Sequence, residues 1–123
     1  YELGVRLYKA KKYQDGIRIL QEARSDPKRK GTVLFYLGVC FEAIKQYKLG
    51  LTHYEESLDH LSDREPDARK QAMYRAGVVA MDRVKDYEKA EKHLNTLAGL
   101  DFSYKDVGER LDKLQKLRED GES

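Results

Sequence analysis

The sequence lacks both the paired cysteines of many secreted proteins and the long apolar runs of membrane-spanning ones. It has one cysteine, two prolines and no tryptophan. Because Cys40 is alone, no disulfide can form within the chain, which fits a reducing compartment. No stretch approaches the roughly 18 to 20 consecutive apolar residues of a membrane-spanning helix. We therefore expect no membrane insertion within this sequence; the compartment stays open, with the cytoplasm favoured.

Charge of one sign is also missing. The 24 Lys and Arg residues nearly balance the 22 Asp and Glu residues, for a net charge of +2, and the two signs are interspersed. Such a pattern gives no basic footprint for nucleic acid. The one local exception, 27–30, is interpreted as the solvated start of a helix. The chain opens on Tyr1 in the middle of a repeat pattern, which indicates a fragment of a longer protein.

Residue patterns typical of catalysis or metal binding are absent. His53, His60 and His93 form no motif with a second ligand, and packing or solvent-facing roles are favoured over metal. The nine glycines are dispersed, so no phosphate-binding loop is formed. Cys40 has no histidine in a recognisable motif, and no acidic pair suggests acid–base work. The sequence predicts neither an enzyme nor a cofactor.

What the chain does have is an internal repeat, best seen in Leu34–Leu58. Small and aromatic residues of this stretch recur upstream at a constant offset of 34 positions. The matched pairs are Leu3 with Leu37, Gly4 with Gly38, Tyr13 with Tyr47, Gly16 with Gly50, and Leu20 with Tyr54. Apolar spacings of three and four within each half predict two amphipathic helices joined by a short polar link.

A third copy follows out of phase. Gly77 lies 39 residues after Gly38, and Tyr87 lies 40 residues after Tyr47. Five extra residues therefore precede Gly77, and one more lies between Gly77 and Tyr87. We place the first insertion in 60–70, with longer helices on each side of it.

The last segment predicts a capping helix over 103–119, followed by a fraying tail. Ser103 and Asp106 are read as a capping-box variant, and Phe102 is expected to staple to Val107. The apolar stripe of this helix is narrow, and Arg110 is among the charged residues expected on its surface. One-sided helices of this kind close repeat arrays.

These residues together resemble the tetratricopeptide repeat family over essentially the whole chain. The resemblance divides the chain into a truncated repeat 1–27, repeats 28–62 and 66–99, and the capping helix 103–119. The ending also resembles the helix that often closes bacterial arrays. Gly16 and Gly50 depart from the family's usual alanine. The implied fold is all-α, a right-handed α-solenoid of antiparallel helix pairs with about seven helices.

The resemblance also implies a concave groove, lined by the first helices, that binds a peptide or helix of a partner protein. The positions matching the groove-facing set are Tyr1, Val5, Tyr8, Lys9, Phe35, Val39, Glu42, Tyr74, Val78 and Met81. Valine replaces the asparagine of the family's carboxylate clamp, so an apolar, tyrosine-rich groove is expected instead. Periodicity alone leaves open whether these aromatic side chains line the groove or belong to the core.

Two other functions stay open at this point. An exposed terminal repeat face could pair two copies into a homodimer. The array could also be an auxiliary part of a larger enzyme. The partner itself cannot be read from the sequence.

Overall fold

Seven α-helices make up most of the part of the chain that the computed structural model describes, residues 1–122, and this part contains no strand. The helices are α1 Glu2–Lys9, α2 Tyr13–Glu22, α3 Lys30–Ala43, α4 Tyr47–His60, α5 Pro66–Val79, α6 Tyr87–Leu100 and α7 Val107–Glu122. The predicted all-α class is confirmed. Among these described helices, none is long and apolar enough to cross a bilayer.

The helices group into two compact units, Tyr1–Ala72 and the residues from Met73 onward. The division falls within α5. In the first unit, α1 to α3 enclose a core whose central side chains, Leu20, Leu34 and Leu37, are fully buried. Burial of each such leucine contributes roughly 1.5 to 3 kcal/mol of hydrophobic stabilisation. In the second unit, Leu94, Leu97 and Leu114 are buried in the same way.

Each helix pair is held together by a glycine on its first helix that faces a large side chain on its second. A carbon added to the glycine would lie 2.6 Å from the large side chain in all three pairs. The pairs are Gly4 with Leu20, Gly38 with Tyr54, and Gly77 with Leu94. Glycine costs roughly 1 kcal/mol relative to alanine inside a helix. Close helix approach compensates for that cost.

The link between the two helices of each pair turns on a lysine in the left-handed region. Lys11, Lys45 and Lys85 have φ values of 62°, 65° and 62°. In the first two turns the next residue donates its backbone N–H to the carbonyl five positions earlier, at 2.8 Å. This left-handed ending satisfies carbonyls at the end of the first helix. The polar links predicted after α1 and α3 are thereby confirmed.

The third turn shows where the single extra residue goes. Residues Ala80–Val84 form one turn of π-helix, and Asp86 donates its backbone N–H to the Ala80 carbonyl, six positions earlier rather than five. A π-turn is the usual way for a helix to absorb one inserted residue. Part of the five-residue insertion lengthens the start of α5. Gly38 is the ninth residue of α3, whereas the matching Gly77 is the twelfth residue of α5. The predicted lengthening of the helix after 60–70 is confirmed.

The start of α7 differs from the prediction. The helix begins at Val107, four residues after Ser103. Ser103 donates both its backbone N–H (3.2 Å) and its hydroxyl (2.7 Å) to Asp101, so it does not form the expected capping box with Asp106. Lys105 adopts a left-handed φ of 44°, which interrupts the helix there.

The predicted staple between Phe102 and Val107 is also replaced. Phe102 is 69% exposed, and its ring lies over Gly108, where an added carbon would come within 3.0 Å of the ring. Val107 is instead fully buried. At the other end, α7 stays helical through Glu122, past the point where fraying was expected; Ser123 lies outside the described residues.

Candidate functional site

The structure divides the ten residues predicted to line a groove. Phe35, Val39 and Met81 are only 9%, 5% and 2% exposed, and so they belong to the core rather than to a binding surface. The half-buried members are Tyr1, Val5, Tyr8, Glu42, Tyr74 and Val78, and Lys9 is exposed. Helical spacing alone does not decide whether the aromatic members line a groove or belong to the core, because both faces of these helices are apolar.

In the first unit, the half-buried tyrosines gather around Tyr8. The Tyr8 ring centroid lies 6.0 Å from that of Tyr13 and 5.9 Å from that of Tyr36. Tyr1 packs against the same core. We call Tyr1, Tyr8, Tyr13 and Tyr36 the tyrosine cluster. Rings at these distances attract one another beyond the effect of buried area, and a partly exposed tyrosine can still offer its face and its hydroxyl to a partner.

Two members of the tyrosine cluster were missed by sequence reasoning. Tyr13 was read only as a marker of the repeat, and Tyr36 lies one position beyond the predicted Phe35. The sequence does contain an indication for Tyr36. Neighbouring residues on a helix point about 100° apart, so a side chain next to the buried Phe35 can reach the preceding helix pair, α1 and α2. Its ring meets the Phe35 ring edge-on at 5.6 Å.

A cation borders the cluster at Tyr1. The guanidinium carbon of Arg29 lies 4.9 Å from the centre of the Tyr1 ring, within the range of a cation–π contact. Partial burial raises the pKa of Tyr1; Tyr36 adds to this rise, while Arg29 opposes it. The phenol therefore stays protonated and able to donate a hydrogen bond at physiological pH.

Glu42 has a structural partner. The Tyr54 hydroxyl donates to its carboxylate at 2.7 Å, and Tyr54 is otherwise fully buried. A buried hydroxyl needs such an acceptor, because an unmet hydrogen bond costs roughly 1 to 3 kcal/mol. Glu42 therefore contributes to packing of the α3–α4 pair.

In the second unit, Tyr74 belongs to an ionic network centred on Arg110. Tyr74 donates its hydroxyl to Asp106 at 2.7 Å, and the guanidinium of Arg110 bonds both Asp106 and Asp82 at 3.1 Å. Tyr74, Asp82, Asp106 and Arg110 form what we call the Arg110 network. The Lys105 ammonium lies 4.9 Å from the Tyr74 ring centre. This network ties α7 to α5 and to the π-turn that carries Asp82.

The expectation of a surface role for Arg110 is corrected by this geometry. Its side chain is only 21% exposed. The sequence indicates one of the two ion pairs of Arg110, because Asp106 and Arg110 are four positions apart, a spacing that brings charges together on a helix. The contact with Asp82 could not be read, since it depends on the π-turn.

The Arg110 network shifts the titration of its members. Partial desolvation acts to raise the pKa of Asp106, but the hydrogen bond from Tyr74 and the charge of Arg110 outweigh it, and the pKa lies below the ordinary 3.8. Burial raises the pKa of Tyr74, and its hydrogen bond to Asp106 adds to the rise.

A lowered pKa makes the contribution of Asp106 pH-dependent. Its stabilisation is present above about pH 4 and is lost as the pH falls through the pKa of the folded state. We expect wild type to be more stable than Asp106→Asn at pH 7, with the difference shrinking below pH 4 as the wild-type carboxylate is protonated. Urea titrations of both proteins between pH 7 and pH 3 measure this. A difference that stays constant across that range would contradict the assignment.

His53 is packed within the first unit, whereas His60 is exposed. Arg24 donates to Nε2 of His53 at 2.9 Å, and the opposite ring nitrogen, Nδ1, donates to the Leu49 carbonyl at 2.7 Å. The His53 ring also packs against the Phe41 ring at a tilt, with centroids 4.9 Å apart. Across the described residues, no group of three or more metal-ligating side chains comes together.

Cys40 is buried in the first core, and desolvation raises the pKa of its thiol to about 11. Because the thiolate is the reactive form, very little of it exists at neutral pH. We expect iodoacetamide to leave the folded protein unmodified at pH 8 and to label it once urea unfolds it, as mass spectrometry would show. Rapid labelling of the native protein would mean that the α1–α3 core opens readily.

No family model matches the chain, and no curated protein is similar to it at a significant level.

Proposed function

We propose that this chain is a tetratricopeptide-type array, a right-handed solenoid of helix pairs. Two kinds of contact support the proposal beyond the sequence pattern. The glycine-to-large-residue contact occurs in all three pairs, and from the first pair to the second it recurs at the same 34-residue spacing as the sequence repeat. The left-handed lysine at the turn recurs as well. Both lie within single helix pairs, as expected for a repeating building block.

We further propose that the chain is a protein-interaction scaffold and that a peptide or helix of a partner binds at the tyrosine cluster. The observation that carries this proposal is the set of half-buried rings around Tyr8, contributed by α1, α2 and α3. Tyrosine supplies a large contact area with few rotatable bonds, which keeps the entropic cost of binding low.

The proposed surface is smaller than the sequence alone suggested. Beside the tyrosine cluster, it keeps Val5 and Lys9 of the first unit. In the second unit, Val78 is half-buried, and Tyr74 already has partners: its hydroxyl bonds Asp106, and its ring lies beside Lys105. The second surface thus presents fixed charges beside an aromatic ring.

A selection experiment tests the scaffold function. Peptides enriched from a displayed random library on the wild-type chain should bind Tyr8→Ala/Tyr36→Ala at least about tenfold more weakly, because aromatic hot spots each contribute more than about 1 kcal/mol. Tyr87→Ala, which removes a half-buried tyrosine of the second unit, is the matched control and should keep its affinity.

Far-UV circular dichroism of both variants shows whether a loss of binding reflects a loss of helical structure. If the double variant keeps the wild-type spectrum and still binds every selected peptide equally well, the tyrosine cluster is not the binding site.

Self-association is a second candidate, favoured by the exposure of Leu3. This side chain on α1 is 52% exposed, although the repeat pattern places it at a packing position. A second copy could cover it in a symmetric contact. Light scattering over a concentration series should then show a dimer that Leu3→Glu dissociates; a monomer at every concentration would remove this candidate.

A further inference from the structure

We infer that the partner of the tyrosine cluster is an acidic peptide, one that places aspartate or glutamate carboxylates beside apolar side chains. This inference rests on the proposed function and adds the chemistry of the ligand. It is carried by the basic turn between α1 and α2, which borders the cluster directly through Tyr13.

The basic turn contains Lys9, Lys11 and Lys12, all exposed, and no acidic residue. In the described part of the chain, no carboxylate lies within ion-pairing distance of any of the three. The protein itself therefore holds none of these three ammonium groups in an ion pair. Unpaired cations of this kind attract an anionic partner and speed its encounter.

The lysines are not all required by the turn. The three turns share a left-handed lysine at the first position, so Lys11 has a backbone counterpart in Lys45 and Lys85. The next position differs: Lys12 corresponds to Gln46 and Asp86, although the first two turns have the same hydrogen-bonded geometry. Lys9 likewise corresponds to Ala43. Counted from the turn lysine, the third-turn counterpart of Lys9 is Arg83. The positive charge at Lys12 therefore belongs to the first turn alone, and the fold does not explain it.

A pocket connects these charges to the tyrosine cluster. It has a volume of about 450 Å³ and is lined by Lys11, Lys12, Tyr13, Gln14, Asp15 and Ile44. Tyr13 and Ile44 are half-buried and form its apolar part. Tyr13 belongs both to this pocket and to the tyrosine cluster, since its ring lies beside that of Tyr8. One extended peptide can therefore place an apolar side chain against Tyr13 and Ile44. A neighbouring carboxylate of the same peptide then lies near Lys11 and Lys12.

Asp15 restricts where that carboxylate can lie. It is the only acidic residue lining the pocket, and like charges at close range repel. The ligand carboxylate is therefore expected on the side of Lys11 and Lys12. The amide of Gln14 can meet a backbone group of the peptide.

Fluorescence anisotropy with two synthetic probes tests the inference. The first is a labelled peptide in which glutamates alternate with leucine and phenylalanine; the second carries glutamine at every glutamate. Wild type should bind the glutamate peptide more tightly, and the difference should fall with added salt. Lys11→Gln/Lys12→Gln should lower affinity for the glutamate peptide about threefold to tenfold, and leave the glutamine peptide unchanged.

The control is Lys85→Gln/Lys92→Gln, which removes the same charge from the second unit and includes the lysine with the same turn conformation. It should bind both probes as wild type does. Equal losses in the control and the test variant would mean unspecific attraction and would overturn the inference, as would failure of wild type to bind the glutamate peptide.

The two proposals fail in different ways. If both probes bind equally and Tyr8→Ala/Tyr36→Ala weakens both, the scaffold function stands and the acidic partner is rejected. If that tyrosine variant binds both probes like wild type while the lysine variant loses only the glutamate peptide, the acid preference stands and the tyrosine cluster is rejected as the site.

Discussion

Tyr54→Ala is expected to lower the free energy of unfolding by about 3 to 5 kcal/mol, the largest effect of any single substitution considered for this chain. Tyr54 is fully buried, its ring covers Gly38, and it lies 5.7 Å from the Phe35 ring. Alanine would leave a cavity between α3 and α4, and Gly38 has no side chain that could fill it. Urea denaturation followed by far-UV circular dichroism measures the loss.

Tyr54→Phe is the matched control, because it removes only the hydroxyl that donates to Glu42. Its expected cost is about 1 kcal/mol, the net value of one hydrogen bond. Glu42 is half-exposed, so water can replace the lost donor. Equal losses for the alanine and phenylalanine variants would show that the hydrogen bond, rather than ring packing, holds the pair together.

The second large effect is expected at Gly31. A carbon added there would lie 2.8 Å from the Leu61 backbone nitrogen and 2.9 Å from the His60 carbonyl carbon. Backbone atoms cannot rotate away as a side-chain end can, so the α3 start and the α4 end must separate. We expect Gly31→Ala to destabilise the chain by about 2 kcal/mol in urea denaturation, the overpacking cost outweighing alanine's better helix propensity.

Gly16→Ala provides the comparison within the same unit. Gly16 is also buried and helical, but its added carbon would meet nothing closer than 3.4 Å, an ordinary contact. This variant should be more stable than wild type by about 0.5 to 1 kcal/mol. If Gly31→Ala were also stabilising, the close approach of α3 to the end of α4 would be incorrect.

The helices and their pairing were predictable because they depend on local patterns. Apolar spacing of three and four predicts amphipathic helices, and the phase shifts at Gly77 and Tyr87 locate the two insertions. How each insertion is absorbed was not predictable. One residue becomes a π-turn. The other five lengthen α4 relative to α2 and the part of α5 before Gly77, while the link between these helices is shorter than the link between α2 and α3. This choice depends on packing around the whole segment rather than on any single residue.

The candidate site was harder to predict, for a different reason. Phe35 and Tyr1 occupy matched positions 34 residues apart, yet Tyr1 is half-buried, whereas Phe35 is buried against the rings of Tyr36 and Tyr54. Ser103 and Asp106 form a recognisable capping signal, but Asp106 bonds Tyr74 and Arg110 instead. A distant tyrosine hydroxyl and an arginine four positions along α7 thus replace the expected capping contact.

The glycine that faces a large residue has an evolutionary consequence. Gly4 and Leu20 lie in one helix pair, as do Gly38 and Tyr54. A duplicated gene segment encoding one such pair would carry both halves of its own close contact and need no compensating change elsewhere for that contact to form. The large residue can then diverge between copies, from leucine to tyrosine, while the glycine is retained. Arrays built this way can lengthen by copying and acquire new binding surfaces later.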